Sequence, residues 1–165
     1  MMNSCLKMFD QFGKVLKILR QGCWKSSLSS EHAMYVCVDF DGTIVDHQFP
    51  RLGEPVPGAI RWLKRFIELD AKLILFTMRS DGMPYGDVLT EAVQYLQQEG
   101  VVLFGINHNP SQDSWTSSPK AYGNVYIDDA AVGCPTIHPQ GFSRPCVNWN
   151  MVGPYVESML LTPRQ

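Results

Sequence analysis

Apolar positions along the chain follow two rhythms, and the switches between them outline a series of elements. Met34-Tyr35-Val36-Cys37-Val38 is a short, β-rich run that stops abruptly at Asp39, the pattern of a strand buried on both faces. From Pro57 the spacing becomes helical. Ile60, Leu63, Phe66 and Ile67 form the apolar stripe, and Arg61, Lys64, Arg65 and Glu68 form the polar face. Lys72-Leu73-Ile74-Leu75-Phe76 reads as a second strand, ending at Thr77. Pro84 to Glu99 reads as a second helix, with Val88, Leu89, Ala92, Tyr95 and Leu96 inside and Gly100 as its C-cap. Val101 to Phe104 is the third expected strand, and Val125-Tyr126-Ile127 the fourth, closing in Asp128-Asp129. A last helix is expected from Pro154 to Leu161.

Strands that alternate with helices imply an α/β fold with right-handed crossovers, here a doubly wound, mainly parallel sheet flanked by helices. All strand C-termini then lie along one edge, where open sheets of this kind bind ligands. Ahead of this domain (34–165) lies a different segment (1–33). Cys5, Phe9, Phe12, Val15 or Leu16, and Leu19 recur at helical spacing among Lys7, Lys14, Lys17 and Arg20, and a Ser-rich linker, Ser26 to Ser30, follows. A short amphipathic helix with a basic polar face is the expectation there, packed on the domain or part of a partly ordered tail, with a membrane-surface or partner-binding helix as the sharper alternative.

Composition narrows the field. The chain has 165 residues, 45% hydrophobic and 18% charged, which suits one globular core and excludes a disordered polyelectrolyte. A net charge of −2 argues against a strongly basic nucleic-acid binder. Apolar runs are strand-sized, so no membrane span is expected. Cys5, Cys23, Cys37, Cys134 and Cys146 are odd in number and contain no CxxC pair, which points to a reduced, cytoplasmic setting. Neither GxxxxGK[ST] nor a GxGxxG after a strand occurs, which disfavours P-loop and dinucleotide chemistry.

The expected topology carries Asp39, Asp41, Thr77, Asp128 and Asp129 to one edge, with Lys120 a few residues before the fourth strand. Two carboxylates about 4 Å apart repel by roughly 4 kcal/mol at an effective dielectric near 20, and four acids multiply the penalty. A divalent cation relieves it, and hard oxygen ligands suit Mg²⁺. Lys120 would offset one further charge. The bland alternatives are a turn at Asp41-Gly42 and a helix N-cap at Asp128-Asp129.

Asp39-Phe40-Asp41-Gly42-Thr43, Thr77, Lys120 and Asp128-Asp129 together, in this order, resemble the four motifs of the haloacid dehalogenase-like (HAD) superfamily, over roughly Tyr35 to Ile137. The stretches Val36–Thr43, Thr77–Arg79 and Tyr126–Asp129 are similar in particular to small, capless, phosphatase-like members of bacteria and phages. The resemblance implies a Rossmann-like fold and a Mg²⁺-dependent phosphomonoester hydrolase. Asp39 would be the nucleophile, forming an aspartyl-phosphate, and Asp41 the general acid/base. Mg²⁺ would be held by Asp39, the Asp41 main-chain carbonyl and Asp128, with Asp129 acting through water or orienting Lys120. Thr77 would bond a phosphoryl oxygen, and Lys120 would neutralise charge.

Gly42, Thr43, Arg79 and Asn107 are placed as substrate contacts; His47, His108 and Trp115 are weaker candidates. The intervals 44–56 and 105–119 are too short for a cap domain, so an open site is expected, closed by a loop, by a second copy of the chain in a homo-oligomer, or by a bulky substrate. A small phosphorylated compound is the favoured substrate. The rivals are phosphatase action on nucleic-acid ends and a non-catalytic HAD-fold binding module.

Overall fold

The computed structural model describes residues 33–162, so all but Ala33 of the expected N-terminal unit lies outside the described residues. Four short strands, β1 (Tyr35–Val38), β2 (Lys72–Leu75), β3 (Gly105–Ile106) and β4 (Val125–Ile127), form a parallel sheet in the order β3-β2-β1-β4. Cys37 stands opposite Ile74 on one side and Tyr126 on the other, so β1 is central and sets the register. Helices α1 (Ala59–Glu68) and α2 (Val88–Gln98) connect β1 to β2 and β2 to β3. Both crossovers step the same way across the sheet, so right-handed connections place both helices on one face.

Packing follows from that geometry. Val36, Val38, Leu73 and Leu75 meet Leu63 and Phe66 of α1, and Ala92 and Leu96 of α2, in the main core. Trp149, Val152 and Val156 of α3 (Trp149–Leu161) join the same core. The reverse step from β3 to β4 runs over the opposite face without an α-helix. There Cys37, Ile74 and Ala121 are buried together against Tyr35, Phe76 and Phe104, and the connection carries a 3₁₀ helix, Pro110–Ser114. The sheet is thus wound by helices on one face and by a loop with a 3₁₀ turn on the other. No helix among the described residues is long and apolar enough to cross a membrane. The described cysteines, Cys37, Cys134 and Cys146, are free thiols.

Several expected boundaries move. Val101–Phe104 is not the third strand. Gly100 ends α2 at φ 73, Val101 N–H donates to Leu96, and pairing with β2 begins only where Phe104 N–H reaches Leu73 C=O. Helix α2 starts at Val88 instead of Pro84, because Gly82 and Gly86 form a separate turn. Asp81 then caps the helix from outside, accepting from Leu89 N–H and Thr90 N–H at 2.7 and 3.0 Å. Helix α3 begins five residues before Pro154, which lies inside it. The buried Trp149 anchors that start by donating its indole N–H to Thr43 C=O at 2.7 Å. An antiparallel pair, β5 (Thr136–Ile137) and β6 (Cys146–Val147), lies between β4 and α3 where no strand was expected.

Candidate functional site

The chain leaving β1 turns sharply. Thr43, Ile44 and Val45 N–H all converge on Phe40 C=O, and Gly42 N–H donates to Val45 C=O at 2.6 Å. This coil puts Asp39 at the end of the central strand, tied to β4 by its N–H to Ile127 C=O at 2.9 Å. One carboxylate oxygen each of Asp39, Asp128 and Asp129 falls within 4.8 Å of the others. Burial, opposed by the Phe40 N–H and reinforced by Asp128, Asp129 and Asp41, pushes the Asp39 carboxyl up to about 7. The donor chemistry, three hard anionic oxygens from two adjacent strand ends, fits a divalent cation such as Mg²⁺.

Asp41 lies two residues from Asp39 in a different environment. Its carboxylate is held by both arms of Arg79, with Nε to Oδ2 at 2.8 Å and Nη2 to Oδ1 at 2.7 Å. Arg79 is 2% exposed, and its remaining N–H groups donate to Arg51, Pro50 and Val88 carbonyls. The guanidinium also stacks between the Phe40 ring (4.9 Å) and the Phe49 ring (5.5 Å). Every donor of Arg79 is therefore engaged by the protein, which corrects its placement as a substrate contact. Arg79 orients Asp41, whose carboxylate is not part of the Asp39, Asp128 and Asp129 group.

Asn107 is exposed, and its amide is bonded to the neighbouring strand end. At φ 51 it turns its amide onto Thr77, accepting from Thr77 N–H at 2.7 Å and donating to Thr77 C=O at 2.8 Å. It shapes the end of β2. Thr77 is 8% exposed, and its hydroxyl oxygen accepts from Arg79 N–H at 3.1 Å, which leaves the O–H proton available. Thr43 is fully buried and accepts from Asp129 N–H at 3.2 Å, so it fixes the Asp128-Asp129 turn from below. Gly42, at φ 84, is required for close approach. A Cβ there would clash with His47 Nε2 and come within 2.7 Å of Asp129 Cγ.

Lys120 stands apart from the acids. It is exposed, its ammonium lies 5.7 Å from the Tyr126 ring centroid, and it pairs with no described carboxylate. Its loop is set by the buried Gln112, which donates to Ser118 and Lys120 carbonyls and accepts from Tyr122 N–H at 2.7 Å. Asp129 meets His47 instead, Nε2 to Oδ2 at 3.0 Å. His108 pairs with Asp113 at the surface, and Trp115 packs edge-on against Tyr122. Sequence reasoning missed Asp46 and Ser143, which hold the His47 segment. The signal available was an acid, Asp46, at the end of an apolar run.

No family model and no curated protein matches this chain. Among solved structures, a conserved protein from Bacteroides thetaiotaomicron is similar, with 29% identity and a TM-score of 0.61 over 78% of this chain and 93% of that one.

Proposed function

We propose that the protein is a Mg²⁺-dependent phosphomonoester hydrolase, a small capless member of the HAD superfamily working through an aspartyl-phosphate. The observation that carries this reading is Asp39, a partly buried nucleophile-type carboxylate grouped with Asp128 and Asp129 at adjacent ends of a parallel sheet. Thr77 follows the neighbouring strand, and Asp41 is locked by Arg79. The stretch between β1 and α1 is loop, and the connection from β3 to β4 carries one 3₁₀ helix, in keeping with a site that lacks a cap.

Asp39, Asp128 and Asp129 would hold the cation, which when bound supplies charge neutralisation at the phosphoryl group. Asp39 attacks phosphorus while the P–O bond to the leaving group breaks, and Asp41 gives that oxygen its proton. Asp41 then takes a proton from the water that hydrolyses the aspartyl-phosphate, releasing phosphate and restoring Asp39. The two parallel bonds from Arg79 fix the plane of the Asp41 carboxyl group and leave an outer lone pair on each oxygen for the proton. Thr77 O–H donates to a phosphoryl oxygen, and Lys120 adds positive charge when substrate draws it in. Asp39→Asn and chelation by EDTA are each expected to abolish turnover of a generic aryl phosphate by the full chain. Activity that survives either treatment would falsify the proposal.

A further inference from the structure

His47 follows the catalytic-type coil on a segment held by its own neighbours, Asp46 and Gln48, and by Ser143. Its main-chain N–H donates to Asp46 Oδ1 at 2.8 Å, and its C=O accepts from Ser143 Oγ at 2.9 Å. Asp46 is only 2% exposed and is the node of this strap. Its carboxylate also accepts from Gln48 Nε2 at 3.0 Å, Ser143 Oγ at 3.2 Å and Ser143 N–H at 3.3 Å. Burial would raise the Asp46 carboxyl, but the hydrogen bonds from Gln48, Ser143 and His47 outweigh it and hold the group below the usual carboxylate range. Ser143 lies between β5 and β6, and β6 is joined to the coil by Val147 N–H to Gly42 C=O at 2.9 Å. The small hairpin, the coil and the His47 segment are thus one unit.

That unit delivers a single side chain to the acidic group. The His47 ring reaches Asp129 Oδ2 at 3.0 Å across the bare Cα of Gly42, where any Cβ would displace it. The backbone of Asp129 is fixed from the other side by its N–H to Thr43. An ionised carboxylate only accepts, so Nε2 carries the hydrogen in this contact.

We infer that His47 is a positioning residue for the cation site: its Nε2–H holds one oxygen of Asp129 and so aims the carboxylate at an ion shared with Asp39 and Asp128. This gives Asp129 the partner that Lys120 was expected to be. It also assigns a purpose to the 134–147 segment, which supplies the strap through Ser143. The inference rests on the cation site of the proposed function. Partners that orient a metal ligand from behind typically contribute 10–100-fold in affinity.

The test titrates Mn²⁺ into the full chain and follows binding by loss of the free ion's electron paramagnetic resonance signal. Thermal unfolding is recorded on each variant. His47→Phe keeps the bulk of the ring but removes the donor, and is expected to weaken Mn²⁺ at least tenfold. His47→Gln restores an N–H donor on a side chain of similar reach and is expected to recover most of that loss. Ser143→Ala is expected to weaken Mn²⁺ by a smaller factor, because it loosens the strap and leaves the ring in place. Mn²⁺ affinity of His47→Phe within twofold of the unaltered protein, or a loss that His47→Gln does not recover, would overturn the inference while leaving the cation site standing. Failure of the unaltered protein to bind Mn²⁺ would overturn both. Should His47→Phe unfold, the contrast between His47→Gln and His47→Asn, the same amide on a shorter stem, decides the matter, with equal affinities counting against the inference.

Discussion

Asp39 and Asp41 leave the same strand two residues apart, yet the protein treats their charges in opposite ways. Asp41 has a permanent internal counter-ion, the buried and fully bonded Arg79. Among the described residues Asp39 has no ion-pair partner, the charged groups acting on it are the acids Asp128, Asp129 and Asp41, and its carboxyl is pushed up to about 7 chiefly by burial. The chain can therefore build a complete cation partner for a carboxylate at this edge. At Asp39 it does not, and under the phosphatase reading that is the position where an ion and a phosphoryl group would meet.

The largest expected effect tests the closed half of this contrast. Arg79→Met removes the guanidinium and leaves Asp41 and three backbone carbonyls without their donor. Breaking one side of a buried pair costs about 3–5 kcal/mol, which urea unfolding would read directly. Arg79→Lys, which keeps the charge but loses the fork, should fall between the two. A loss below about 1 kcal/mol for Arg79→Met would show that Asp41 is not held as described.

The next effect tests the open half. The Asp39 carboxyl titrates near 7 in the folded chain against 3.8 for the ordinary group, so between those values the folded state binds the extra proton. The cation-free protein should lose stability as pH rises through this window, by at most about 4 kcal/mol. Added Mg²⁺, or Asp39→Asn, should remove that contribution. Thermal unfolding of both proteins from pH 4 to 8 provides the measurement, and an unchanged slope in Asp39→Asn would sink the explanation.

The smallest effect on stability should come from Lys120→Met. An exposed ammonium over the Tyr126 ring contributes at most about 1 kcal/mol, so the fold should barely notice. Under the phosphatase reading, turnover should nonetheless fall by at least about tenfold. Loss of stability without loss of turnover would make Lys120 a packing residue and leave Asp39 with no cation from the protein at all.

Asp39 and the Asp128-Asp129 pair were legible because each directly follows an apolar run, and strand ends of a parallel sheet converge. The inward role of Arg79 was not, because nothing local marks an arginine that turns inward; the groups that hold it stand 38, 29, 28 and 9 residues away. The start of α3 was hidden for the same reason, its anchor being a bond from Trp149 to a residue 106 positions earlier. Strands β5 and β6 are two residues each, too short to show any alternation. Strand β3 was displaced because Val101 is buried and Leu103 packs partly against the core ahead of the pairing, while Val102 faces out, and apolarity alone does not distinguish that from a strand.

Gln112 has a consequence for how this chain can change. Its amide makes bonds at three positions of one surface loop, Ser118, Lys120 and Tyr122, so it acts as a ruler laid under five residues. Adding or deleting one residue there would carry at least one of those groups out of reach and strand a polar amide in the interior. Surface loops ordinarily absorb such length changes. This one is metered from beneath, and natural variants should keep its length even where its letters drift.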